Sequence, residues 1–164
     1  MSSLAGNDTF TTVGTADVVH GGSGDDTVRI HSGDFASLDG GLGIDTLVMD
    51  GKAMHIDLSA LGMKVQGFEK FDLGAGGNTL ALSASDVLAG GVRDMVMADG
   101  KVQMLVNGAN GDVDLLGGSD GWTQGSNTNV GGAPSRTTNA GFGVLCAVAN
   151  GFVCTFNAPL FLHA

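Results

Sequence analysis

The sequence predicts an all-β fold, a parallel β-roll or β-solenoid that continues into further short β-strands. Two stretches, 21–29 and 40–48, both read G-G-x-G-x-D-x-U-x, where U is a large apolar residue. This nonapeptide is a repeat of parallel β-helices. A nine-residue register continues outside the two copies, and short alternating apolar stretches separated by Gly or Asn follow residue 48. We therefore expect coils with nonapeptide turns first and additional strands after them.

The nine-residue register extends towards the N-terminus. The units 3–11, 12–20 and 21–29 each have an aspartate at the sixth place and an apolar residue at the eighth. These residues are Asp8, Asp17 and Asp26, followed by Phe10, Val19 and Val28. The unit 30–39 is a degenerate copy with one extra residue. Glycine permits the tight turn of each unit, and the apolar residue of each strand supplies the core.

Stacking of these units places carboxylates in columns. If one unit is half a coil, alternate units stack on the same edge at the strand spacing of roughly 4.8 Å. This places Asp8, Asp26 and Asp45 in one column, with Asp17 and, from the degenerate copy, Asp34 on the other edge. Bare carboxylates at that spacing repel each other by about 1 kcal/mol in water. A divalent cation reverses the sign, and Ca²⁺ takes about 6–8 oxygen ligands from carboxylates and backbone carbonyls.

The same residues have a simpler interpretation as solvated Asp-Gly turns of an all-β protein. The two full copies favour a cation site within 21–48, whereas both interpretations stay open for 3–20, where glycines are missing. Ca²⁺ is favoured over Mg²⁺ because flexible, carbonyl-rich loops suit the larger ion. Zn²⁺ is not expected, since no His/Cys cluster lies near these loops. Calcium binding would then contribute to the free energy of folding.

Composition limits the classes of function. The chain of 164 residues has 29 Gly, a net charge of −10 and Glu69 as its only glutamate, so that the other acids are all aspartates. Short acidic side chains are typical of turns and metal ligands. The negative charge argues against nucleic acid or an anionic membrane as a partner. We expect no membrane insertion, because no apolar stretch has the length of a transmembrane helix, and we recognise no N-terminal signal peptide.

We expect three regions along the chain. The repeat block occupies 1–48, a β-rich continuation of the solenoid 49–130, and an atypical uncharged tail 131–164. The first coil has no obvious polar cap, which suggests a fragment of a longer protein unless units 3–20 form the cap themselves. In the central part we expect strands and one short helix closed by Gly90. The strands are 46–49, 55–58, 68–73, 79–82, 102–106 and 113–116, and the helix is 83–89.

The tail differs in composition from the rest of the chain. Residues 137–164 contain no Asp, Glu, Lys or Arg and hold both cysteines, Cys146 and Cys154. The cysteines are close enough in sequence to pair, but nothing requires it. Buried strands, a disordered segment, a secretion signal and sequence that does not belong to the domain all stay open for this region.

Several segments outside the nonapeptides form a combination that is specific to one family, although each segment alone is a weak signal. They are 35–47, 56–58, 67–73, 78–80, 83–88, 105–115 and Gly121-Trp122. With the repeats, this combination resembles the C-terminal region of large bacterial RTX surface proteins and adhesins, which carry haemolysin-type calcium-binding repeats. The likeness covers most of 1–130. After Arg136 the chain departs from the family, which usually continues into a Gly-Val-aromatic stretch and a final strand.

The resemblance implies a location and a mode of folding. It implies export by the type I secretion machinery, which reads an uncleaved C-terminal signal, and folding into a β-roll outside the cell, where calcium is plentiful. It also implies a place at the bacterial cell surface in adhesion or biofilm formation, with a host or biofilm surface ligand as partner. By position, the family's metal ligands map onto the carboxylates of Asp26 and Asp45, with Asp8 as a third, and onto the carbonyls of Gly22, Gly24, Gly41 and Gly43.

We do not expect an enzyme. The sequence has no H-E-x-x-H zinc-protease motif, its four histidines are scattered, and no helix pattern follows the glycines at 40–43 as a dinucleotide loop requires. Three functions remain: a calcium-binding structural module of a secreted adhesin, the secretion and folding module of an exported RTX hydrolase or toxin, and a carbohydrate-binding module in which Trp122 stacks on a sugar. Upstream sequence distinguishes the first two, and a glycan-binding assay tests the third.

Overall fold

The computed structural model describes residues 1–96, 98, 100–107 and 112–116, and the backbone of strands within 129–156. The strands are β1 (Thr9–Val13), β2 (Val18–Ser23), β3 (Thr27–Ile30), β4 (Ser37–Leu42), β5 (Thr46–Met49), β6 (His55–Asp57), β7 (Val65–Gln66), β8 (Lys70–Asp72), β9 (Thr79–Leu82), β10 (Val92–Arg93), β11 (Val102–Asn107), β12 (Asp112–Leu115), β13 (Asn129–Val130), β14 (Ala133–Pro134), β15 (Arg136–Asn139), β16 (Leu145–Val148) and β17 (Gly151–Phe156). The helices are α1 (Leu58–Leu61), a 3₁₀ turn (Gly62–Lys64) and α2 (Ala84–Gly90).

In the three parallel sheets, the strands that pair are not neighbours in the chain. β1, β3, β5, β8 and β11 pair in this order and in parallel. β2, β4 and β7 form a second parallel sheet, and β6, β9 and β12 form a third. β11 pairs antiparallel with β17 on its other side, and its first residues also pair antiparallel with β10. The predicted all-β class is confirmed, with sheets that are parallel in part.

The apolar residues of the nonapeptides form the core, as the sequence predicts. β3 buries Val28 and Ile30 completely and leaves Thr27 and Arg29 half-exposed, in the two-residue period of a strand. Val28 lies in register with Phe10 on one side and with Leu47 on the other, and Leu47 in turn with Phe71. Stacking of these side chains from strand to strand builds one continuous core.

The helix predicted at 83–89 is confirmed, but it is shifted by one residue and spans Ala84–Gly90. The Ser83 hydroxyl accepts a hydrogen bond from the Asp86 N–H at 3.3 Å, and the Asp86 carboxylate accepts one from the Ser83 N–H at 2.7 Å. This reciprocal pair forms a capping box. Gly90 is the last helical residue, and the Gly91 N–H donates to the Val87 carbonyl at 2.8 Å. The sequence pattern missed α1, which is a single turn.

The core crosses the predicted boundary at residue 48. β5 spans this boundary and pairs with β8, and one cluster of buried residues runs from Val13 to Val106. The division into 1–48 and 49–130 stays a prediction. In the tail, the described backbone contains strands, and the register of β16 with β17 places Cys146 opposite Cys154. Trp122 lies outside the described residues. No helix in the described part is long and apolar enough to cross a membrane.

Candidate metal centre

Four carboxylate side chains stack at the N-terminal ends of the strands in the first parallel sheet, which consists of β1, β3, β5, β8 and β11. Asp8, Asp26, Asp45 and Glu69 each come directly before a strand of this sheet, and the register of Thr9, Thr27, Thr46 and Lys70 aligns them. We call these four residues the carboxylate column. The prediction that the three aspartates lie in one column is confirmed.

Backbone hydrogen bonds connect the members of the carboxylate column. The Asp8 N–H donates to Asp26 Oδ1 at 2.8 Å, and the Asp26 N–H donates to Asp45 Oδ1 at 2.6 Å. The Asp45 N–H donates to Glu69 Oε2 at 2.8 Å. The donors and acceptors are 18, 19 and 24 residues apart, which is the spacing of successive strands in this sheet. One carboxylate oxygen of each acceptor therefore satisfies the backbone of the preceding coil.

The other oxygen of the two central aspartates has no such partner. Asp26 is 1 % exposed and Asp45 is fully buried, and within the described part of the chain Oδ2 of each is buried without a hydrogen-bond partner. Leaving a buried polar group unpaired costs about 1–3 kcal/mol, and more when it is charged. Asp8 differs, because it is half-buried and its Oδ2 accepts a hydrogen bond from the Ser3 hydroxyl. Two buried oxygens thus remain for an external cation.

Burial dominates the electrostatics of Asp45 and Glu69 and disfavours their charged forms. Burial raises the pKa of the Asp45 carboxyl, with a smaller upward contribution from Asp26, although the hydrogen bond from the Asp26 N–H opposes it. Burial also raises the pKa of Glu69, and the neighbouring Asp45 adds to this, while the Asp45 N–H and Lys70 oppose it. The two ion pairs in the described residues, Arg29–Asp50 and His20–Asp39, do not involve the column. A bound cation would favour the charged forms.

The predicted loop ligands also stack on one another. Gly41 and Gly43 have φ values of +107° and +141°, which are conformations that favour glycine. A β-carbon at Gly41 would overlap the carbonyl oxygen of Gly22, and one at Gly43 would overlap that of Gly24. The carbonyl oxygens of the loop at 21–24 therefore point at the loop at 40–43, and only glycine permits this approach.

A second series of hydrogen bonds between successive coils, which we call the outer ladder, runs along the outer surface of the same loops. The Asn7 side-chain oxygen accepts a hydrogen bond from the Asp25 N–H at 2.9 Å, and Asp25 Oδ1 accepts one from the Ile44 N–H at 2.9 Å. These residues occupy the fifth place of the nonapeptide, which the motif leaves open. Asn7 and Asp25 are exposed, so that water reaches their remaining polar atoms. This outer ladder fixes the loops without forming a buried site.

The other edge of the coils does not repeat this arrangement. Asp17 precedes β2, but Val18 pairs with Ser37, so that Ala36 and not Asp34 lies beside it. The Asp17 carboxylate accepts a hydrogen bond from the Gly14 N–H at 2.8 Å. The extra residue of the degenerate unit shifts Asp34 out of register, and this edge offers no second column.

Sequence reasoning missed Glu69. Residue 69 was expected within a strand, whereas its backbone lies where an aspartate lies in the earlier coils. It is 8 % exposed and extends the column by one residue. Two signals were available: it is the only glutamate of the chain, and it immediately precedes an alternating strand.

The chemical type of the available donor atoms fits calcium. Among the described residues, no three His, Cys, Asp or Glu side chains are grouped so as to hold a metal by themselves. Calcium does not need such a group, because backbone carbonyls provide part of its coordination shell. Here two unpartnered aspartate oxygens lie beside stacked glycine carbonyls, a set of hard oxygen donors. Zinc, which prefers nitrogen and sulfur donors, does not match it.

A cavity of about 340 Å³ lies between the two helices and the first sheet, and Gly67, two residues before Glu69, borders it. Apolar residues of the helices, of β8 and of β11 form much of its lining, among them Leu58, Phe71 and Met104. The Asp86 carboxylate also borders it, but it already accepts hydrogen bonds in the capping box and from the Ser59 hydroxyl at 2.6 Å. The cavity therefore presents few free polar groups.

One short motif that is found in catalytic sites does occur in the sequence. Residues 117–121 read G-G-S-D-G, which matches the G-x-S-x-G of a nucleophile elbow. The match is a weak signal in a chain with 29 glycines, and it lies outside the described residues. We infer no activity from it.

Comparison with known proteins gives no relative for this chain. No family model matches it, and no curated protein or solved structure matches it significantly.

Proposed function

We propose that this chain is the calcium-binding structural module of a bacterial surface adhesin exported by type I secretion. In this proposal its parallel coils form a β-roll that folds outside the cell when calcium binds. Calcium would be held by Asp26 and Asp45, with Asp8 at the edge, and by carbonyls of Gly22, Gly24, Gly41 and Gly43. The resemblance to RTX surface proteins supports the adhesin assignment over an exported hydrolase or toxin, in which the same module would serve secretion.

The observation that carries the calcium proposal is the pair of buried, unpartnered oxygens, Asp26 Oδ2 and Asp45 Oδ2. Two adjacent carboxylates without a counter-ion oppose folding of the apo chain, since burial disfavours their charged forms. A cation that binds only the folded state removes this opposition and stabilises the fold in proportion to its concentration. Calcium in the extracellular range is sufficient for a module of this kind.

A calcium titration followed by far-UV circular dichroism tests the proposal. We expect little β-structure in chelator and a cooperative gain at about 10⁻⁴–10⁻³ M calcium, the range of extracellular modules. Magnesium should not replace calcium at the same concentration. Asp26→Asn should raise the midpoint, because it keeps the hydrogen bond to the Asp8 N–H and removes the charge. The matched control is Asp34→Asn, an exposed residue outside the column, which should leave the midpoint unchanged.

One result would contradict the proposal. A chain that is fully β-structured in chelator and indifferent to calcium would reduce the nonapeptides to ordinary turns.

A further inference from the structure

We propose that a second divalent-cation site lies one coil beyond the last nonapeptide, between Asp45 and Glu69, with the Gly67 carbonyl as a further ligand. This inference rests on the proposed calcium function and adds a site that the nonapeptide motif does not predict. The segment 65–70 has no G-G-x-G-x-D sequence, and its assignment as a cation site comes from its position in the stack.

The surroundings of Asp26 recur at Asp45. A β-carbon at Gly21 would meet Asp26 Oδ2 and the Gly40 carbonyl oxygen. In the same way, a β-carbon at Gly40 would meet Asp45 Oδ2 and the Gly67 carbonyl oxygen. Each aspartate oxygen therefore faces a glycine and lies near a carbonyl from the next coil.

The carboxylate above each aspartate recurs as well. Asp45 lies above Asp26 and accepts its N–H at 2.6 Å, and Glu69 lies above Asp45 and accepts its N–H at 2.8 Å. The set formed by Asp26, the Gly40 carbonyl and Asp45 is thus repeated as Asp45, the Gly67 carbonyl and Glu69. The chemistry of the donors is the same, all oxygens, in both sets.

An unpartnered oxygen distinguishes this arrangement from a mere group of acids. Asp45 is fully buried, and its Oδ2 has no hydrogen-bond partner within the described residues. Glu69, at 8 % exposure, is also withdrawn from water. An ionised carboxylate oxygen gains no hydrogen bond from the carbonyl oxygen beside it, because each of the two oxygens can only accept one. A divalent cation is the partner that both oxygens can share.

The second site should be weaker than the first. Asp39 pairs with Gln66 and Thr46 pairs with Lys70, so that the segment after β7 lacks most of the loop found after Gly40. As a consequence, no loop within the described part of the chain covers the loop at 41–43, and Leu42 is 75 % exposed. Fewer carbonyls are available here, and water must complete the coordination shell of the cation. Calcium sites with fewer charged and fixed ligands bind more weakly.

Calorimetric titration of the full chain with calcium, starting from chelator-treated protein, tests this inference. The variant Glu69→Gln keeps an oxygen to accept the Asp45 N–H and removes the charge. We expect it to lose one bound calcium per chain, or to bind the weaker calcium at least about tenfold less tightly, while the tighter site remains. Asp34→Asn serves as the control carboxylate and should leave both sites unchanged.

The variants separate this inference from the proposed function. If the wild-type chain binds no calcium, both are overturned. If Asp26→Asn weakens binding and Glu69→Gln leaves stoichiometry and affinities unchanged, the calcium function stands and the second site is excluded. Should Glu69→Gln fail to fold in saturating calcium by circular dichroism, Glu69→Asp decides. This variant keeps the charge and shortens the reach, so it should weaken one site selectively, and unchanged binding would exclude Glu69 as a ligand.

Discussion

Asp26 uses its two carboxylate oxygens for different purposes. Oδ1 accepts the N–H of Asp8, a role that an asparagine oxygen fills equally well, as Asn7 shows in the outer ladder. Oδ2 is buried and unpartnered. At the position of Oδ2, an asparagine side chain would present either an amide N–H donor or a neutral oxygen, whereas a carboxylate presents negative charge. At the scale of the residue, aspartate at the sixth place therefore fits a cation better than it fits a hydrogen-bonded turn.

The raised pKa values of Asp45 and Glu69 predict how the apo chain responds to pH. Because the folded state holds these protons more tightly than the unfolded state, it binds more protons between the ordinary and the raised pKa. The free energy of unfolding then falls as pH rises through this interval. The stabilisation is complete below the ordinary pKa of a carboxyl, near 4, and is lost above the raised pKa. In chelator, we expect the β-signal in far-UV circular dichroism to decrease from mildly acidic to neutral pH.

Calcium should reverse this trend, since it competes with protons for the same oxygens. Glu69→Gln removes one of the two titrating groups, so its β-signal in chelator should depend less on pH than that of the wild type. Asp34→Asn, which alters an exposed carboxylate, provides the comparison. A β-signal in chelator that rises towards neutral pH would show that other groups dominate.

At the scale of the element, the sequence predicts what the local pattern determines. The alternating apolar residues predict β5 and β9 to the residue, because turn residues and buried side chains mark their ends. α1 and the role of Glu69 were missed, because both depend on the length of a connection between coils. Asn78 is a similar case: it is buried and donates to the Met49 and Leu73 carbonyls, both at 2.9 Å. Such long-range partners have no signature in a local pattern.

The stacking of loop glycines leads to a prediction at this scale. Gly41 and Gly6 have almost the same φ, +107° and +109°, but a β-carbon at Gly41 would overlap a carbonyl oxygen of the preceding loop, whereas a β-carbon at Gly6 would lie in open space. Gly6→Ala should cost the backbone strain alone, about 1–2 kcal/mol. Gly41→Ala should cost clearly more, because the loops must move apart. Urea unfolding in saturating calcium measures both.

Equal losses of stability in these two variants would show that loop stacking adds nothing to the backbone strain. A smaller loss for Gly41→Ala would show that the exposed loop at 41–43 moves freely. In either case the carbonyls of the loop at 21–24 would not be held in place by the loop that follows.

At the scale of the whole molecule, two columns of stacked side chains run through the coils, one apolar and one acidic. The apolar column of Val28, Leu47 and Phe71 stabilises the fold by burial. The buried charges of the carboxylate column oppose the fold, in a chain whose net charge is already −10, and the proposed cation would remove this opposition. The two columns come from places six and eight of the same nonapeptide. Under the proposed function, a single repeat would therefore supply both the core and the ligands of the ion on which the core depends.

Substitutions in the two columns should respond differently to calcium. Leu47 is fully buried, so Leu47→Ala should lower the free energy of unfolding by about 2–5 kcal/mol through lost burial and a cavity. This loss should be the same at every calcium concentration that keeps the chain folded. The loss in Asp26→Asn should instead grow as calcium rises, because stabilisation by a ligand increases with ligand concentration and the variant binds it less tightly.

Leu42→Ala is the matched control for the core, since Leu42 is 75 % exposed and its truncation should change stability by no more than about 0.5 kcal/mol. Urea unfolding at several calcium concentrations compares the three variants directly. A loss in Leu47→Ala that grows with calcium as steeply as the loss in Asp26→Asn would mean that the apolar column forms only around a bound ion. A loss in Asp26→Asn that is independent of calcium would mean that the carboxylate acts through its hydrogen bond to Asp8 and not through a cation.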